Sequence, residues 1–504
     1  MLRIPQFSCA AALAAGLLLA VPRLPAAINQ DDAIASITAA LRSGQFQTAL
    51  ELAQAARRFS PKDVRVLVLE GMALTRLGQD DGALVVLRKA IGIAPDYVPA
   101  IEAAAEIEYR LDKPEAAARL KRLLTLRPAE PTAHAMLGAI AWKGGDCAAA
   151  VQHFRQAAAT VNDQPDALRE FGACLLKLKR PEDASRVFQQ LTALQPDDPR
   201  ARYSLAVSLM ESTRFQDAIA VLDPLTKAAA PDPIALELAS SAHESLGATP
   251  EAVTLLRQAV LLDPKNVNLY LDFAALSFAH QSFQVGVDMI AAGLTQVPDS
   301  AKMYLARGVL YVQLAQYAKA DADFEKAEQL NPQRALGSVA RGLSQIQQNN
   351  LDDALATIRS QLKTNPRDAF LYYVLAELLG RRGAQAGSAE FQQAIDAARE
   401  AVRLKPDFVL ARDVLSRLYL QAGKREEAIE QCRIALRDSP DDEMALYRLI
   451  RALQSGGGPE TAAEVPVLLK RFTSLREEAR KRDAQAARYR LVEERPPAQD
   501  KIAR

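Results

Sequence analysis

Apolar positions recur along this chain in a pattern that repeats about every 34 residues. Each period holds two stretches with the spacing of an amphipathic helix, and it closes at a proline or another residue that ends a helix. A constant period of this length is typical of one supersecondary unit stacked on copies of itself. The twelve closing positions are Pro61, Pro95, Pro128, Asn162, Pro196, Ala230, Pro264, Pro298, Pro332, Pro366, Pro406 and Pro440.

Two positions in each repeat hold small side chains, which let helix backbones approach closely. One small residue lies in each half of the repeat, so each repeat is predicted to be a helical hairpin. No strand-like alternation persists, and the chain is predicted to be all-α. The position twelve residues before each closing residue is occupied by Ala49, Ala83, Ala116, Ala150, Ala184, Ala218, Ala252, Gly286, Ala320, Ala354, Ala394 and Ala428. The second position is occupied by Gly71, Ala104, Gly138, Gly172, Ala206, Ser240, Ala274, Gly308 and Gly342.

The turn and the core of each hairpin have their own markers. Glycine often lies between the two helices, where it suits the left-handed conformation that ends a helix. Proline then ends the second helix, because it lacks an amide proton and restricts the residue before it. The predicted core-filling residues include Leu87, Phe154, Phe188, Leu256, Phe324 and Ile358.

This pattern resembles the tetratricopeptide repeat (TPR) family, over about four fifths of the chain. The clearest copies carry Ala135, Gly145, Ala150, Phe154 and Ala157, and then Gly308, Ala320, Phe324, Ala327 and Pro332. The family's first-helix tryptophan is absent throughout. The resemblance implies a right-handed superhelical solenoid of about twelve hairpins plus one extra helix over residues 28–455. A polar capping helix is expected over residues 459–495, and a disordered tail over residues 496–504.

In this family the first helix of each hairpin lines the concave face, so its positions 5, 9 and 12 are expected to face a groove. The Lys and Asn with which some members hold a terminal carboxylate are absent from positions 5 and 9. The ladder is apolar through repeats eight to ten, which indicates either a binding surface or packing between first helices. Trp142 is likewise either a ligand anchor or a packing residue. The candidate groove residues are Val68, Met72, Trp142, Arg169, Tyr203, Phe278, Leu305, Val309, Val339, Leu343 and Tyr373.

Composition narrows the function further. The net charge is +1, from 62 basic and 61 acidic residues, which argues against a nucleic-acid binder. No cofactor, metal site or catalytic residue is predicted, so the chain is not expected to be an enzyme. The four histidines, with His153 facing outward, are expected to be surface or packing residues. They are His134, His153, His243 and His280.

The N-terminal residues 1–27 are typical of an export signal. Arg3 precedes a short apolar run over residues 8–21, and small residues suggest a cut after Ala26 or Ala27. The run is shorter than the ~20 residues of a transmembrane helix. We therefore expect an exported, periplasmic protein with no integral membrane segment after signal removal. An uncleaved anchor, or a cytosolic protein with an apolar start, is the alternative.

Signal removal leaves Cys147, Cys174 and Cys432, an odd number that does not suggest a disulfide framework. Three small thiols facing the core are expected, and a bridge between Cys147 and Cys174 is the alternative. Repeat eleven is six residues longer than the others, and the extra residues fall around residues 382–390. They are interpreted as either a partner contact or a neutral insertion. The C-terminal helix is interpreted as a cap, with a partner helix or a membrane contact as alternatives.

These observations predict an exported bacterial scaffold without catalysis that binds an unidentified protein or peptide in its groove, within an envelope complex. The alternative is a periplasmic adaptor in exopolysaccharide or cell-envelope assembly. Such an adaptor would need aromatic and acidic groove residues for sugar stacking. Its aromatic candidates are Trp142, Tyr203, Phe278 and Tyr373.

Overall fold

The computed structural model describes residues 30–331, 336–456 and 459–488. Over these ranges the chain forms 27 α-helices and no β-strand. It divides after Ala201 into two compact parts, which we call the N-terminal lobe and the C-terminal lobe. The all-α solenoid of helical hairpins predicted from the repeat pattern is confirmed. The predicted signal over residues 1–27 and the tail over residues 496–504 lie outside the described residues.

The first five repeats are helical hairpins, with one extra short helix in repeat four. Their helices are α1 (Gln30–Arg42), α2 (Phe46–Phe59), α3 (Val64–Arg76), α4 (Asp80–Ile93), α5 (Val98–Arg110), α6 (Glu115–Leu126), α7 (Pro131–Lys143), α8 (Cys147–Gln156), α9 (Ala158–Val161), α10 (Pro165–Lys177) and α11 (Pro181–Leu194).

Repeats six to twelve continue the same alternation of first and second helices. They comprise α12 (Pro199–Glu211), α13 (Phe215–Thr226), α14 (Pro233–Ser245), α15 (Thr249–Leu262), α16 (Val267–Ala279), α17 (Phe283–Gln296), α18 (Ala301–Gln313), α19 (Tyr317–Leu330), α20 (Leu336–Gln347), α21 (Leu351–Thr364), α22 (Ala369–Arg381), α23 (Ala389–Leu404), α24 (Val409–Gln421) and α25 (Arg425–Asp438). Two more helices follow, α26 (Glu443–Gln454) and α27 (Pro459–Arg488).

Proline sets the end of the second helix. In each of the ten repeats that close with proline, the second helix ends two residues before it. The two repeats without this proline end differently. Repeat four, which closes at Asn162, breaks its second helix at Ala157, and repeat six, which closes at Ala230, ends its helix at Thr226. The loss of the proline stop therefore coincides with the loss of the regular helix end.

The turn of each of the twelve hairpins contains a residue in the left-handed backbone region just after the first helix, and the longer turn of repeat eleven contains a second, Gly387 at φ 91°. Six of the twelve residues just after the first helix are glycines, with φ from 72° to 80°, as the sequence predicts. The other six turns keep the same conformation without glycine, at φ from 54° to 59°. The hairpin therefore imposes this conformation on whichever residue occupies the turn, at a cost that glycine avoids. The residues without glycine are Asp112, Lys179, Thr213, Gln281, Ala315 and Asn349.

The small positions lie where the two helices of each hairpin cross. All twelve residues of the first small set are buried, and the core-filling side chains pack beside them. In repeat nine, a Cβ added to Gly308 would lie only 2.4 Å from Phe324 Cε1. The second-helix aromatic ring thus occupies the volume that the missing side chain leaves. The prediction that small residues allow the two helices of a hairpin to approach closely is therefore confirmed.

The cysteines depart from the expectation of three free thiols. Cys147 at the start of α8 and Cys174 in α10 form a disulfide, with their Cα atoms 4.9 Å apart. The expectation was wrong for this pair, because the packing of α8 against α10 brings repeats four and five together at these two residues. Cys432 remains a buried free thiol, as predicted.

The two C-terminal helices, α26 and α27, pack against each other and against repeat twelve. Val465 and Leu468 of α27 pack against Leu449 and Leu453 of α26 and against Cys432 of repeat twelve. Phe472, Leu475 and Ala479 recur at helical spacing along α27 and are half-buried. The extra residues of repeat eleven lengthen both the connection between α22 and α23, which spans residues 382–388, and the helix α23 itself, which has 16 residues. Across the ranges with assigned structure, no helix is long and apolar enough to cross a membrane.

Candidate functional site

A set of exposed apolar side chains lies on the first helices of the C-terminal lobe. We define the apolar row as Ala275 and Phe278 on α16, Val309 on α18 and Leu343 on α20. Phe278 is 43% exposed, Val309 41% and Leu343 37%, and Ala275 is exposed as well. Ala275, Val309 and Leu343 occupy position 9 of three consecutive repeats. Since α16 contacts α18 and α18 contacts α20, these positions follow one another across a continuous face.

Position 5 behaves differently from position 9. Leu305 is half-buried, and Val339 is buried in the core with Leu371 and Val374. Val68 is buried in the same way in the N-terminal lobe. At position 5 the burial of Val339 and Val68 favours packing between neighbouring first helices, which was one of the two alternatives left open by the sequence. The apolar ladder therefore divides into an exposed line at position 9 and a packed line beside it.

Three carboxyl groups line a cavity of about 470 Å³ between α14 and α16, which we call the acidic pocket. Glu237 and Glu244 come from α14, and Asp272 comes from α16. Ala275, the first residue of the apolar row, lines the same cavity. The acidic pocket and the apolar row are thus neighbouring parts of one first-helix face.

The two facing carboxyls of the acidic pocket hold protons unusually well. Burial, and then the negative charge of Asp272 and a hydrogen bond with it, raise the pKa of Glu237 to about 7. Burial likewise raises the pKa of Asp272. Like charges held close together disfavour the ionised form, so the pair retains a proton at higher pH than isolated carboxyls would.

Several carboxylates on or beside the first helices have guanidinium partners. Glu108 is contacted by Arg119 at 2.6 Å and also by Arg88. Three further ion pairs of this kind lie in the C-terminal lobe, and they are Arg307 with Asp323, Arg417 with Glu377, and Arg448 with Asp413. Within the described ranges, neither Glu237 nor Asp272 has a lysine or arginine partner, so the acidic pocket differs from these sites.

The third carboxyl of the acidic pocket is held by a histidine. His280 Nε2 lies 2.8 Å from Glu244 Oε1, and the histidine is buried. Glu244 Oε2 is shielded from solvent and has no hydrogen-bond partner among the described residues. His280 thus positions Glu244 with one oxygen bound and the other unused. No sequence pattern predicted this contact, since 36 residues separate the two side chains.

The remaining candidate groove residues do not gather at the apolar row. In the N-terminal lobe, Met72 is 45% exposed, while Lys177 Nζ lies 4.8 Å from the centre of the Trp142 ring. Arg169 bonds Asp166 at 2.5 Å, as neighbours on one helix do. In the C-terminal lobe, Tyr203 is half-buried, and the half-buried ring of Tyr373 packs on Phe408 at 5.3 Å.

A histidine pair in repeat four was also missed by the sequence interpretation. His134 Nδ1 and His153 Nδ1 lie 2.9 Å apart, and His134 Nε2 lies 2.9 Å from the carbonyl oxygen of Pro128. A carbonyl only accepts, so Nε2 of His134 carries a proton and its Nδ1 accepts from His153 in the neutral pair. Burial, then the neighbouring His134, lower the pKa of His153. His153 is therefore half-buried against His134, and the prediction that it faces outward was wrong.

Family comparison agrees with the hairpin architecture. One tetratricopeptide repeat model matches residues 34–98, 103–166, 339–407, 384–443 and 414–465, which together make just over half of the chain. Two further tetratricopeptide repeat models match residues 141–203, 186–241 and 301–334. The chain belongs to the tetratricopeptide repeat family. This membership supports a role as a protein–protein interaction scaffold.

Individual proteins and solved structures resemble this chain only over a short segment or at low sequence identity. The protein SGT1 homolog of Bos taurus is 31% identical over 91 residues, 18% of this chain and 27% of that protein, so the match spans about a quarter of the relative's length. The crystal structure of yeast Tom70 superposes with a TM-score of 0.40 at 16% identity, covering 91% of this chain and 94% of that one. The Cut9 and Hcn1 hetero-tetramer of the APC/C gives 0.37 at 13% identity, covering 92% and 96%.

Proposed function

We propose that this protein is a non-catalytic scaffold of the cell envelope that binds a segment of another protein on the first-helix face of repeats seven to ten. The observation that carries the proposal is the apolar row. Three consecutive repeats expose a large or small apolar side chain at the same position, although their neighbours at position 5 are at least half-buried. Contiguous exposed apolar side chains commonly mark a binding surface in a soluble protein. In this family, the same face is the concave one.

The lack of catalysis is supported by how the ionisable groups are used. Most buried charged side chains on the first helices form ion pairs that join neighbouring helices, such as Arg307 with Asp323 at 2.7 Å. Perturbed carboxyls also arise where there is no chemistry, because burial and like charges suffice to shift their pKa. A binding role therefore accounts for the first-helix face without a reaction.

Export to the envelope is supported by two independent features. The N-terminal sequence has the composition of a signal peptide, and the disulfide between Cys147 and Cys174 is of a kind that persists in oxidising compartments. Mature protein isolated from its host should begin near Ala27 or Ile28. A full-length chain in the cytosol, with both cysteines reduced, would contradict export and leave the binding face untouched.

The binding face is tested with a matched pair of substitutions. Val309→Glu places a charge in the apolar row, and Val85→Glu places the same charge on a 69% exposed valine of the second helix α4. Envelope proteins retained by the immobilised wild-type chain should also be retained by Val85→Glu. They should be lost from Val309→Glu, with affinity reduced at least about tenfold, or ~1.4 kcal/mol.

Circular dichroism separates binding from packing in the same experiment. Val309→Glu should keep its helicity and melting, since the side chain is 41% exposed. Equal retention of partners by Val309→Glu and Val85→Glu would refute the proposed face. A loss of several kcal/mol of stability would instead assign Val309 to packing between repeats.

The adaptor role in exopolysaccharide or cell-envelope assembly stays a prediction. Of the four aromatic residues that it would use for sugar stacking, Phe278 alone is exposed, and Trp142, Tyr203 and Tyr373 are half-buried. We therefore favour a protein segment as the ligand.

A further inference from the structure

We propose that the protein segment bound along the apolar row carries a lysine or arginine side chain that enters the acidic pocket at the repeat-seven end of the row. This inference rests on the proposed function, and it names the chemistry of the partner. The bound segment would present apolar side chains to Val309 and Leu343 and a basic side chain to Glu237 and Asp272.

The first argument is continuity. Ala275 lines the acidic pocket and is also the first member of the apolar row, one helix away from Val309. A chain lying across α16 and α18 therefore reaches Asp272 without leaving the face. The cavity volume of about 470 Å³ has room for a long basic side chain.

The second argument is charge complementarity. Two buried carboxylates at first helices, Glu108 on α5 and Asp323 of α19 beside α18, each contact at least one guanidinium within 3.1 Å. Glu237 and Asp272 face each other instead, and no basic side chain of the described residues contacts them. Glu237 is half-buried and Asp272 is exposed, and holding two carboxylates close together without a cation costs free energy because their charges repel. A cation supplied by the ligand would remove that cost through charge-assisted hydrogen bonds.

The third argument is the unused acceptor on Glu244. His280 Nε2 holds Oε1 at 2.8 Å, while Oε2 is shielded from solvent and unpaired within the described residues. Ser241 and Ser245 also line the cavity and add hydroxyl acceptors. Ammonium and guanidinium groups carry three and five N–H donors, which suits a pocket rich in acceptors. No cluster of three ligating side chains in the described part of the chain has the arrangement of a metal site, so an organic cation fits better.

The experiment is selection of peptides from a random twelve-residue library displayed on phage, against the immobilised mature chain. Three variants are compared with the wild type. Glu237→Gln with Asp272→Asn removes the pocket charges, and Val309→Glu disrupts the apolar row. Glu251→Gln with Asp288→Asn is the matched control, because it removes two exposed carboxylates from the second helices of the same repeats.

Wild type and control should enrich peptides with Lys or Arg beside apolar residues. The variant without the pocket charges should enrich apolar peptides with no preference for Lys or Arg. Val309→Glu should enrich neither basic nor purely apolar peptides. In a selected peptide, Lys→Gln should weaken binding at least tenfold to wild type and leave binding to the pocket variant unchanged. Such a cycle isolates the pairwise interaction.

Two results would overturn the inference in different ways. Enriched apolar peptides that lack a basic residue, and that are lost with Val309→Glu, would refute the cation while the proposed binding face stands. Enriched peptides that bind Val309→Glu as well as wild type would refute the face and the inference together. Circular dichroism checks that each variant is folded, which is expected because the amides remove a repulsion.

Discussion

The hairpin packing makes a quantitative prediction at Gly308 in α18. A Cβ added there would lie 2.4 Å from Cε1 and 2.7 Å from Cδ1 of Phe324, where carbon atoms normally approach to about 3.5–4.0 Å. The Phe324 ring is 1% exposed and Ala320 on the same helix is fully buried, so the ring has no free volume into which it can move. Gly308→Ala should therefore overpack this crossing.

Two opposing contributions set the magnitude. Overpacking costs about 1–3 kcal/mol, while alanine gains up to about 1 kcal/mol in helix propensity over glycine. We expect a net local destabilisation of about 1–2 kcal/mol. The control is Gly92→Ala in α4, where no atom lies within 4 Å of the added Cβ and only the propensity gain remains.

Hydrogen exchange measured by mass spectrometry is the suitable assay, because a repeat array opens locally and lacks a single unfolding transition. Amides of α18 and α19 in Gly308→Ala should exchange about 5–30 times faster, with smaller effects in repeats eight and ten. Phe324→Leu should relieve the overpacking, so Gly308→Ala should cost less in that background. Unchanged exchange in α18 and α19, or uniform acceleration along the chain, would refute the assigned register.

Two further predictions concern the disulfide and the acidic pocket. The double substitution Cys147→Ala with Cys174→Ala should destabilise repeats four and five by about 2–4 kcal/mol, because the disulfide closes a loop of 27 residues. For the same reason, reductant should accelerate hydrogen exchange in these repeats of the wild-type protein. Equal exchange with and without reductant would contradict a stabilising disulfide. Because folding raises the pKa of Glu237 from 4.5 to about 7, the folded lobe binds more protons than the unfolded chain between these values. Its stability should fall by about 1–2 kcal/mol as the pH rises through that window, after allowance for the partial exposure of the pair. Glu237→Gln should flatten the thermal melts against pH, and an unchanged slope would count against the pKa.

The repeat architecture was predictable because the small residues and the helix-ending prolines recur at a constant spacing along the sequence. Small residues at fixed intervals force close helix crossings, and proline fixes where the second helix ends. Repeats four and six deviate where Asn162 and Ala230 replace proline. The turns without glycine were harder to recognise, since residues such as Gln281 adopt a left-handed conformation that their identity does not favour.

The side-chain partnerships were not predictable in the same way. Cys147 with Cys174, and Glu244 with His280, are separated by 27 and 36 residues, and each contact depends on which faces of neighbouring helices meet. The acidic pocket left a weak signal, because Glu237 and Asp272 occupy positions 5 and 6 of consecutive first helices. Reading the ladder across neighbouring repeats, rather than one repeat at a time, would have brought these carboxyls together.

The most direct test of the central claim is site-specific photocrosslinking in the living host. The photoreactive amino acid p-benzoylphenylalanine is placed at Val309 or Leu343 on the apolar row, and at Val85 on a second helix as the control. We predict adducts with the same envelope protein from positions 309 and 343 and none from position 85. Adducts from position 85 with none from positions 309 and 343 would contradict the first-helix face as the binding surface.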